Sequence, residues 1–263
     1  MAAAKSLAAI TGASSGIGQV FARELARTHD LLLIARRRDR LQSLADELNA
    51  RHGSNVTVIA ADLTDATDLT AVADRIAAEP DLELLVNNAG FGFRGAFWEA
   101  DLATLERMHR LHVMAIVKLS HAALRGMVRR NRGALVNVAS VAAFGTRAGS
   151  ASYSASKSWL AAFTEGLYLD LRHANSAVKV QVLCPGFTYS GFHDVLGEDR
   201  SLLAPPSLWT TAEAVVAASL HALTRGTLVV IPGWRYRLMV AILRSLPPWL
   251  KLRVEAAQPH RKS

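Results

Sequence analysis

The stretch "ASYSASKS" at 151–158 sets Tyr153 and Lys157 four residues apart, with only Ser154, Ala155 and Ser156 between them. A phenol can hand a proton to an oxygen and take it back, but its ordinary pKa of about 10 is too high for easy cycling near neutrality. Residues four apart share a helix face. The Lys157 ammonium is therefore expected to favour the phenolate and pull the Tyr153 pKa down. The small residues between them let reacting partners approach the helix closely. Ser140 lies thirteen positions upstream, at the end of "LVNVAS". Its hydroxyl can hold an oxygen against Tyr153. Out of context a Tyr–Lys pair at this spacing is more often a surface pair, so the reading depends on the elements that carry it.

Those elements alternate. Short apolar runs at 7–10, 31–35, 56–60, 82–86, 134–139, 179–183 and 227–231 read as strands. Between them lie helical patterns near 16–28, 38–51, 66–78, 102–130, 153–173 and 211–223, with an irregular loop over 186–209. Apolar strands separated by helices of about twelve residues or more imply buried parallel strands with crossovers. The fold class expected is α/β, a doubly wound parallel sheet of about seven strands with helices on both faces. No linker divides the chain, so residues 1–263 are expected to form one domain. Ser140 then falls at the carboxyl edge of the fifth strand, where ligands bind in open α/β sheets.

At the start of the chain, "TGASSGIG" (11–18) joins the first strand to the first helix. Gly12, Gly16 and Gly18 permit a tight turn and close approach of a pyrophosphate. The helix N-terminus behind Ser14, Ser15 and Ile17 supplies N–H groups and partial positive charge. A plain strand–helix turn is the alternative, and the absence of a following Gly-Lys-Ser/Thr excludes a P-loop. The second strand ends in "IARRR". An Asp or Glu there would suit a free ribose 2′-hydroxyl, whereas Arg36 and Arg37 suit a 2′-phosphate and point to NADP(H). The alternative leaves both arginines as surface residues opening the next helix. Asp62 either accepts from an adenine amino group or caps the helix that follows.

"TGASSGIG", "NNAG" at 87–90, Ser140, "YSASK" at 153–157 and "PG" at 185–186, in this order, resemble the short-chain dehydrogenase/reductase family over residues 7 to about 232. The resemblance implies a single Rossmann-fold domain, a nicotinamide cofactor, and oxidation or reduction at a carbonyl/alcohol carbon. Tyr153 would be the general acid in reduction and the general base in oxidation. Lys157 would also bond the nicotinamide ribose. Asn88, Ala89 and Gly90 would run along the adenine ribose, and Pro185 and Gly186 would wall the nicotinamide. Ser190 stands where the family often has Thr, and Thr188 can serve the carboxamide through its backbone. Where many members carry an asparagine at a helix kink, this chain has His112. It is either a proton relay or a buried histidine with no catalytic role. His109 shares its helix face, but no third ligand follows and no metal site is expected. The family also implies a homodimer or homotetramer built on the helices near 102–130 and 153–173. The rival reading is a non-catalytic NADP(H)-binding regulator.

Loop 186–209 is long and apolar, with Phe187, Tyr189, Phe192, Val195, Leu196, Leu202, Leu203 and Trp209, and is expected to act as a substrate lid. With Phe91, Phe93, Phe97 and Trp98 it suggests walls for a hydrophobic carbonyl compound. The extension 233–263 mixes Trp, Leu and Met with Arg and Lys. It is expected to pack on the domain or a partner subunit, with peripheral contact to an anionic membrane as the second reading. The chain has 263 residues, a single cysteine (Cys184, expected in the core) and a net charge of +8. No disulfide within the chain is possible, and a cytoplasmic location is expected. No nucleic-acid motif accompanies the charge. No apolar run suggests a secretion signal or a transmembrane span.

Overall fold

A computed structural model describes residues 5–190 and 204–256. The middle of the expected lid, with Phe192, Val195, Leu196, Leu202 and Leu203, and the last residues of the expected extension, 257–263, lie outside the described residues.

The first half alternates β1 (Ser6–Thr11), α1 (Gly16–Leu25), β2 (His29–Ala35), α2 (Arg38–His52), β3 (Val56–Ala60), α3 (Ala66–Ala77) and β4 (Leu82–Asn87). Then come α4 (Leu102–His109) and α5 (Ile116–Arg130), joined without a break by a π-helical segment, Arg110–Ala115. The second half holds β5 (Ala134–Val138), α6 (Ala151–His173), β6 (Lys179–Leu183), β7 (Thr188–Tyr189), β8 (Thr210–Thr211), α7 (Ala212–Thr224), β9 (Val229–Val230), α8 (Trp234–Ser245) and α9 (Pro248–Ala256).

Seven strands form one parallel sheet in the order β3-β2-β1-β4-β5-β6-β9. The expected strand pattern therefore stands, with the last strand trimmed to Val229–Val230. Ala8, Ala9 and Ile10 of β1 are fully buried, which explains why these strands read as unbroken apolar runs: helices cover both faces. On one face Phe21 of α1, Leu41, Leu44 and Leu48 of α2, and Val215 and Val216 of α7 pack together. On the other, Leu69, Val72 and Ile76 of α3 meet Leu119, Ala123 and Met127 of α5. The continuous helix Leu102–Arg130 is long and apolar enough by composition to cross a membrane, but these side chains face the sheet.

The order reverses between β1 and β4, so the loops leaving their carboxyl ends part there and open a crevice. One correction concerns the loop expected to be irregular. Its described ends carry a small parallel ladder, Thr188↔Thr210 and Tyr189↔Thr211, and a 3-10 turn at Pro206–Leu208. The extension after β9 packs on the domain as α8, whose Tyr236 reaches Phe187 and Leu208, and α9, whose Glu255 reaches Thr146.

Candidate active site

The glycine turn after β1 has the backbone that only glycine adopts freely: φ is +67° at Gly12 and +56° at Gly16. A Cβ at Gly18 would press on the Gly12 carbonyl and the Asn88 amide, so the turn packs directly against the segment leaving β4. Thr11 sews the two together. Its Oγ1 accepts from the N–H of Asn88 at 2.9 Å and of Ala89 at 3.0 Å, while Asn88 Nδ2 donates to the Thr11 carbonyl at 3.0 Å. Thr11 was not among the expected site residues, although it heads the glycine motif. The N-cap of α1, Ser15, makes no side-chain cap, and no acid occupies the first turn. That helix end thus offers N–H groups and positive potential that Ser15 does not claim with its own side chain. Ile17, in its first turn, packs on the core below. The Ser190 side chain lies over Gly16. A bare glycine cradle facing an uncapped helix end fits a dinucleotide pyrophosphate.

The two arginines part company. Arg37 donates through Nη2 to Ser14 Oγ and Ser15 Oγ, both at 3.0 Å, which holds its guanidinium at the rim of the glycine turn. Burial, then the neighbouring Arg40 and Arg36, push its pKa down. Arg36 is exposed. Asp62 Oδ1 accepts from Thr64 N–H at 3.0 Å and Thr64 Oγ1 at 2.8 Å, and the cap of α3 is Asp65, which accepts from Thr67 and Asp68 N–H. Of the two roles open to Asp62, the capping of α3 is therefore taken by Asp65 instead.

Tyr153 and Lys157 occupy the first two turns of α6, and Ser140 follows β5 and caps the short turn Val141–Ala143 through Ala142 N–H. The Ser140 hydroxyl lies beside the Tyr153 phenol and acts to lower its pKa. Lys157 Nζ donates to the Val138 carbonyl at 3.1 Å and lies 5.7 Å from the Tyr153 ring centroid. Gly90 stands next to both His112 and Lys157: a Cβ there would come within 3.8 Å of Lys157 Nζ. The structure thus brings Ser140, Tyr153, Lys157, His112 and Gly90 together at the carboxyl edge of β4 and β5. Asn88 and Ala89 stay at the glycine turn.

The protonation states correct one expectation. Burial raises the Tyr153 phenol to about 12, against downward pulls from the Ser140 hydroxyl and the Arg94 charge. Burial also lowers Lys157 to about 8. In this structure, then, burial dominates, the downward pulls come from Ser140 and Arg94, and the phenol is not depressed. Cys184 is buried, its thiol pushed up to about 12 by the same cause.

His112 sits in the π segment, fully buried. Its Nε2 accepts from the Phe91 backbone N–H at 3.3 Å, so the ring proton lies on Nδ1, which donates to Ser156 Oγ at 2.9 Å. Ser156 Oγ in turn donates to the Tyr153 carbonyl at 2.7 Å. Burial first, then the charge of Lys157, hold the imidazole well below its ordinary pKa, so it is neutral. Both ring nitrogens are occupied by structure.

Pro185 accepts from Val141 N–H at 2.9 Å and so ties the segment after β6 to the turn at Ser140. Thr188 is buried and donates to the Gly186 carbonyl at 3.0 Å. Gly186 has a partner sequence reading missed: a Cβ there would overlap the Tyr236 ring of α8. Tyr236 Oη accepts from Phe187 N–H at 2.9 Å and donates to the Leu208 carbonyl at 2.7 Å. Nothing local in "RYR" marks this tyrosine. Trp209 stacks on Tyr189 at 4.9 Å and approaches Phe187 at 5.4 Å, forming an aromatic wall. Phe97 and Trp98, expected in that wall, are exposed on the surface instead.

A family model described as short chain dehydrogenase matches residues 6–201. An uncharacterized oxidoreductase of Myxococcus xanthus is 40% identical over 191 residues, covering 70% of this chain and 72% of that one. A short-chain dehydrogenase from Sphingobium yanoikuyae, solved in complex with NADPH, is 31% identical, covers 98% of both chains and superposes with a TM-score of 0.84. A bulky-bulky ketone specific alcohol dehydrogenase from Comamonas testosteroni is 30% identical, with 98% of this chain and 97% of that one covered and a TM-score of 0.78.

Proposed function

This chain belongs to the short-chain dehydrogenase family, an oxidoreductase working with a nicotinamide cofactor, and we propose that it reduces the carbonyl, or oxidises the alcohol, of a bulky apolar substrate with a preference for NADP(H). The observation that carries the reading is the convergence of the Ser140 hydroxyl on the Tyr153 phenol, with Lys157 on the next turn, beside Gly90 in the crevice. A regulator that only bound the dinucleotide would have no need of this arrangement.

The dinucleotide would be held by Gly12, Gly16 and Gly18, by the N–H groups of α1 behind Ser14, Ser15 and Ile17, and by Ser190. Arg37 would pair with the 2′-phosphate, with Arg36 lending charge from the surface. Asp62, Asn88 and Ala89 would line the adenosine half. Gly90, Pro185, Gly186 and Thr188 would enclose the nicotinamide half, with Lys157 on its ribose. When bound, the nicotinamide supplies or accepts the hydride. Ser140 holds the substrate oxygen. In reduction Tyr153 gives its phenolic proton to that oxygen as the carbon–oxygen π pair becomes an O–H bond; in oxidation the proton returns to Tyr153. Lys157, at about 8, is mostly ammonium at neutral pH and stabilises the phenolate left behind. His112 is a positioning residue: it ties the loop at Phe91 to Ser156 of α6, and through Ser156 to the Tyr153 carbonyl, and keeps its proton on Nδ1.

Phe91, Phe187, Tyr189 and Trp209 give the substrate side its apolar character, and the Comamonas relative named for bulky ketones is a precedent for such a pocket. Leu102, Met114 and Leu169 are exposed on the α4–α6 side, which supports self-association through those helices. We place the enzyme in the cytoplasm as one catalytic domain. The test is cofactor oxidation followed by absorbance against aliphatic, aryl-alkyl and diaryl ketones and aldehydes, with NADPH and NADH in parallel. Turnover of bulky ketones with NADPH supports the reading. Tight NADPH binding with no turnover across the panel overturns it.

A further inference from the structure

The two C-terminal helices turn one side to the protein and an apolar side away from it. In α8, Tyr236 and Val240 are buried. At roughly 100° per residue, Trp234, Leu238 and Ile242 fall on the opposite side of the helix, within about 80° of one another. All three are more than half exposed. Arg237 and Arg244 border this strip on one edge and Arg235 on the other. α9 also leaves apolar side chains outside. Glu255 is buried and accepts from Thr146 N–H at 2.9 Å, while Trp249 and Leu252 are more than half exposed, beside Arg253.

Charge decides what such a surface fits. Residues 234–256 carry five cations, Arg235, Arg237, Arg244, Lys251 and Arg253, and one carboxylate, Glu255. That carboxylate faces inward and lies 3.9 Å from Lys251 Nζ. A symmetric contact with a second copy would set this cationic rim against itself, with no exposed acid on either helix to offset it. A helix with an apolar strip, flanking arginines and exposed tryptophan suits the interface of a bilayer whose headgroups are negative. We propose that α8 and α9 form a peripheral docking surface for anionic membranes, lying in the headgroup plane without crossing it. The helices are fastened to both sides of the substrate crevice, through Tyr236 to Phe187 and Leu208 and through Glu255 to Thr146. Docking would therefore hold that edge of the molecule at the lipid.

The test is flotation of the full chain with phosphatidylcholine vesicles, with and without phosphatidylglycerol, independent of any turnover. The expected result is co-flotation only with phosphatidylglycerol, weakened by salt. Leu238→Ser/Ile242→Ser/Trp249→Ser should lower partitioning at least about tenfold, since each apolar group inserted contributes through its buried CH₂ units. Arg237→Glu/Arg253→Glu should do likewise through charge. These positions are exposed, so melting temperature should hold; if the triple variant unfolds, the charge pair decides. Absence of the wild-type chain from anionic vesicles overturns the proposal, as does undiminished flotation of both variants. Light scattering supplies a third arm: a triple variant that dissociates an oligomer, with no wild-type vesicle binding, would make the face a subunit contact.

Discussion

His112 Nε2 accepts its hydrogen bond from the Phe91 backbone N–H at 3.3 Å, and this one contact fixes the tautomer of a fully buried ring. With the proton on Nδ1, the imidazole completes a chain through Ser156 Oγ to the Tyr153 carbonyl. The ring therefore connects the loop after β4 to the turn of α6 that presents the phenol. It has no nitrogen left over for a moving proton.

Replacing His112 should disturb geometry without touching titration. His112→Ala leaves the Phe91 N–H without an acceptor and Ser156 Oγ without a donor, a loss of about 1–3 kcal/mol in stability. We expect kcat to fall about tenfold with KM little changed, because Tyr153 is misplaced and the cofactor turn is intact. The pH profile of kcat should keep its shape, and His112→Asn, which can both donate and accept, should restore most of the rate. A profile that loses a limb in His112→Ala would assign the ring a proton-transfer role.

Arg37 and Arg36 should separate cleanly. Arg37 is held against Ser14 and Ser15, where a 2′-phosphate would be met by a charge-assisted bond. Arg37→Ala should raise the Kd for NADPH by about 10- to 100-fold and change NADH binding far less. The exposed Arg36→Ala should cost only a few-fold. Titration of each variant with both cofactors checks this; equal losses for NADPH and NADH would remove Arg37 from the 2′ position.

Stability should depend on pH through the buried pair, with opposite signs. Lys157 titrates at about 8 in the fold and near 10.5 when free, so between those values the unfolded chain holds a proton that the folded chain has lost. Stability from this group rises with pH across that window and is lowest below pH 8. Tyr153, at about 12 against 10.0, does the reverse: its contribution falls between pH 10 and 12. Wild type should gain up to about 2–3 kcal/mol on Lys157→Met between pH 8 and 10. Paired chemical denaturation at both pH values measures the gain. A constant gap would mean Lys157 is not desolvated.

Gly186 should tolerate no side chain. A Cβ would displace the Tyr236 ring and break its bonds to Phe187 and Leu208. Gly186→Ala should cost about 2–4 kcal/mol and make the chain after β9 sensitive to protease. Tyr236→Phe, which keeps the ring and loses the hydroxyl, should cost less. Unchanged melting in Gly186→Ala would show that α8 is seated by other contacts.

The sequence disclosed the parts that repeat with a fixed spacing. The seven apolar runs, the glycine turn and the Tyr–Lys pair each follow from local pattern, and the sheet set them where pattern said. What escaped was long-range. Gly186 reads as part of a cofactor wall until Tyr236, fifty residues on, is seen against it. The asymmetry of Arg36 and Arg37 depends on two serines more than twenty residues earlier. Glu255 looks like one charge in a basic tail, yet it holds the loop after Ser140. The depressed phenol failed for a different reason: spacing reports that Lys157 is near, but not how completely the fold strips water from both groups.

The most direct test of the account is a single-turnover comparison of Tyr153→Phe with wild type, using NADPH and a bulky ketone identified in the substrate panel, alongside NADPH titration. The site predicts a Kd for NADPH unchanged within about twofold and a hydride-transfer rate lower by about 10²–10⁴-fold, the contribution of a positioned proton donor. A Tyr153→Phe enzyme that turns over at the wild-type rate would contradict it.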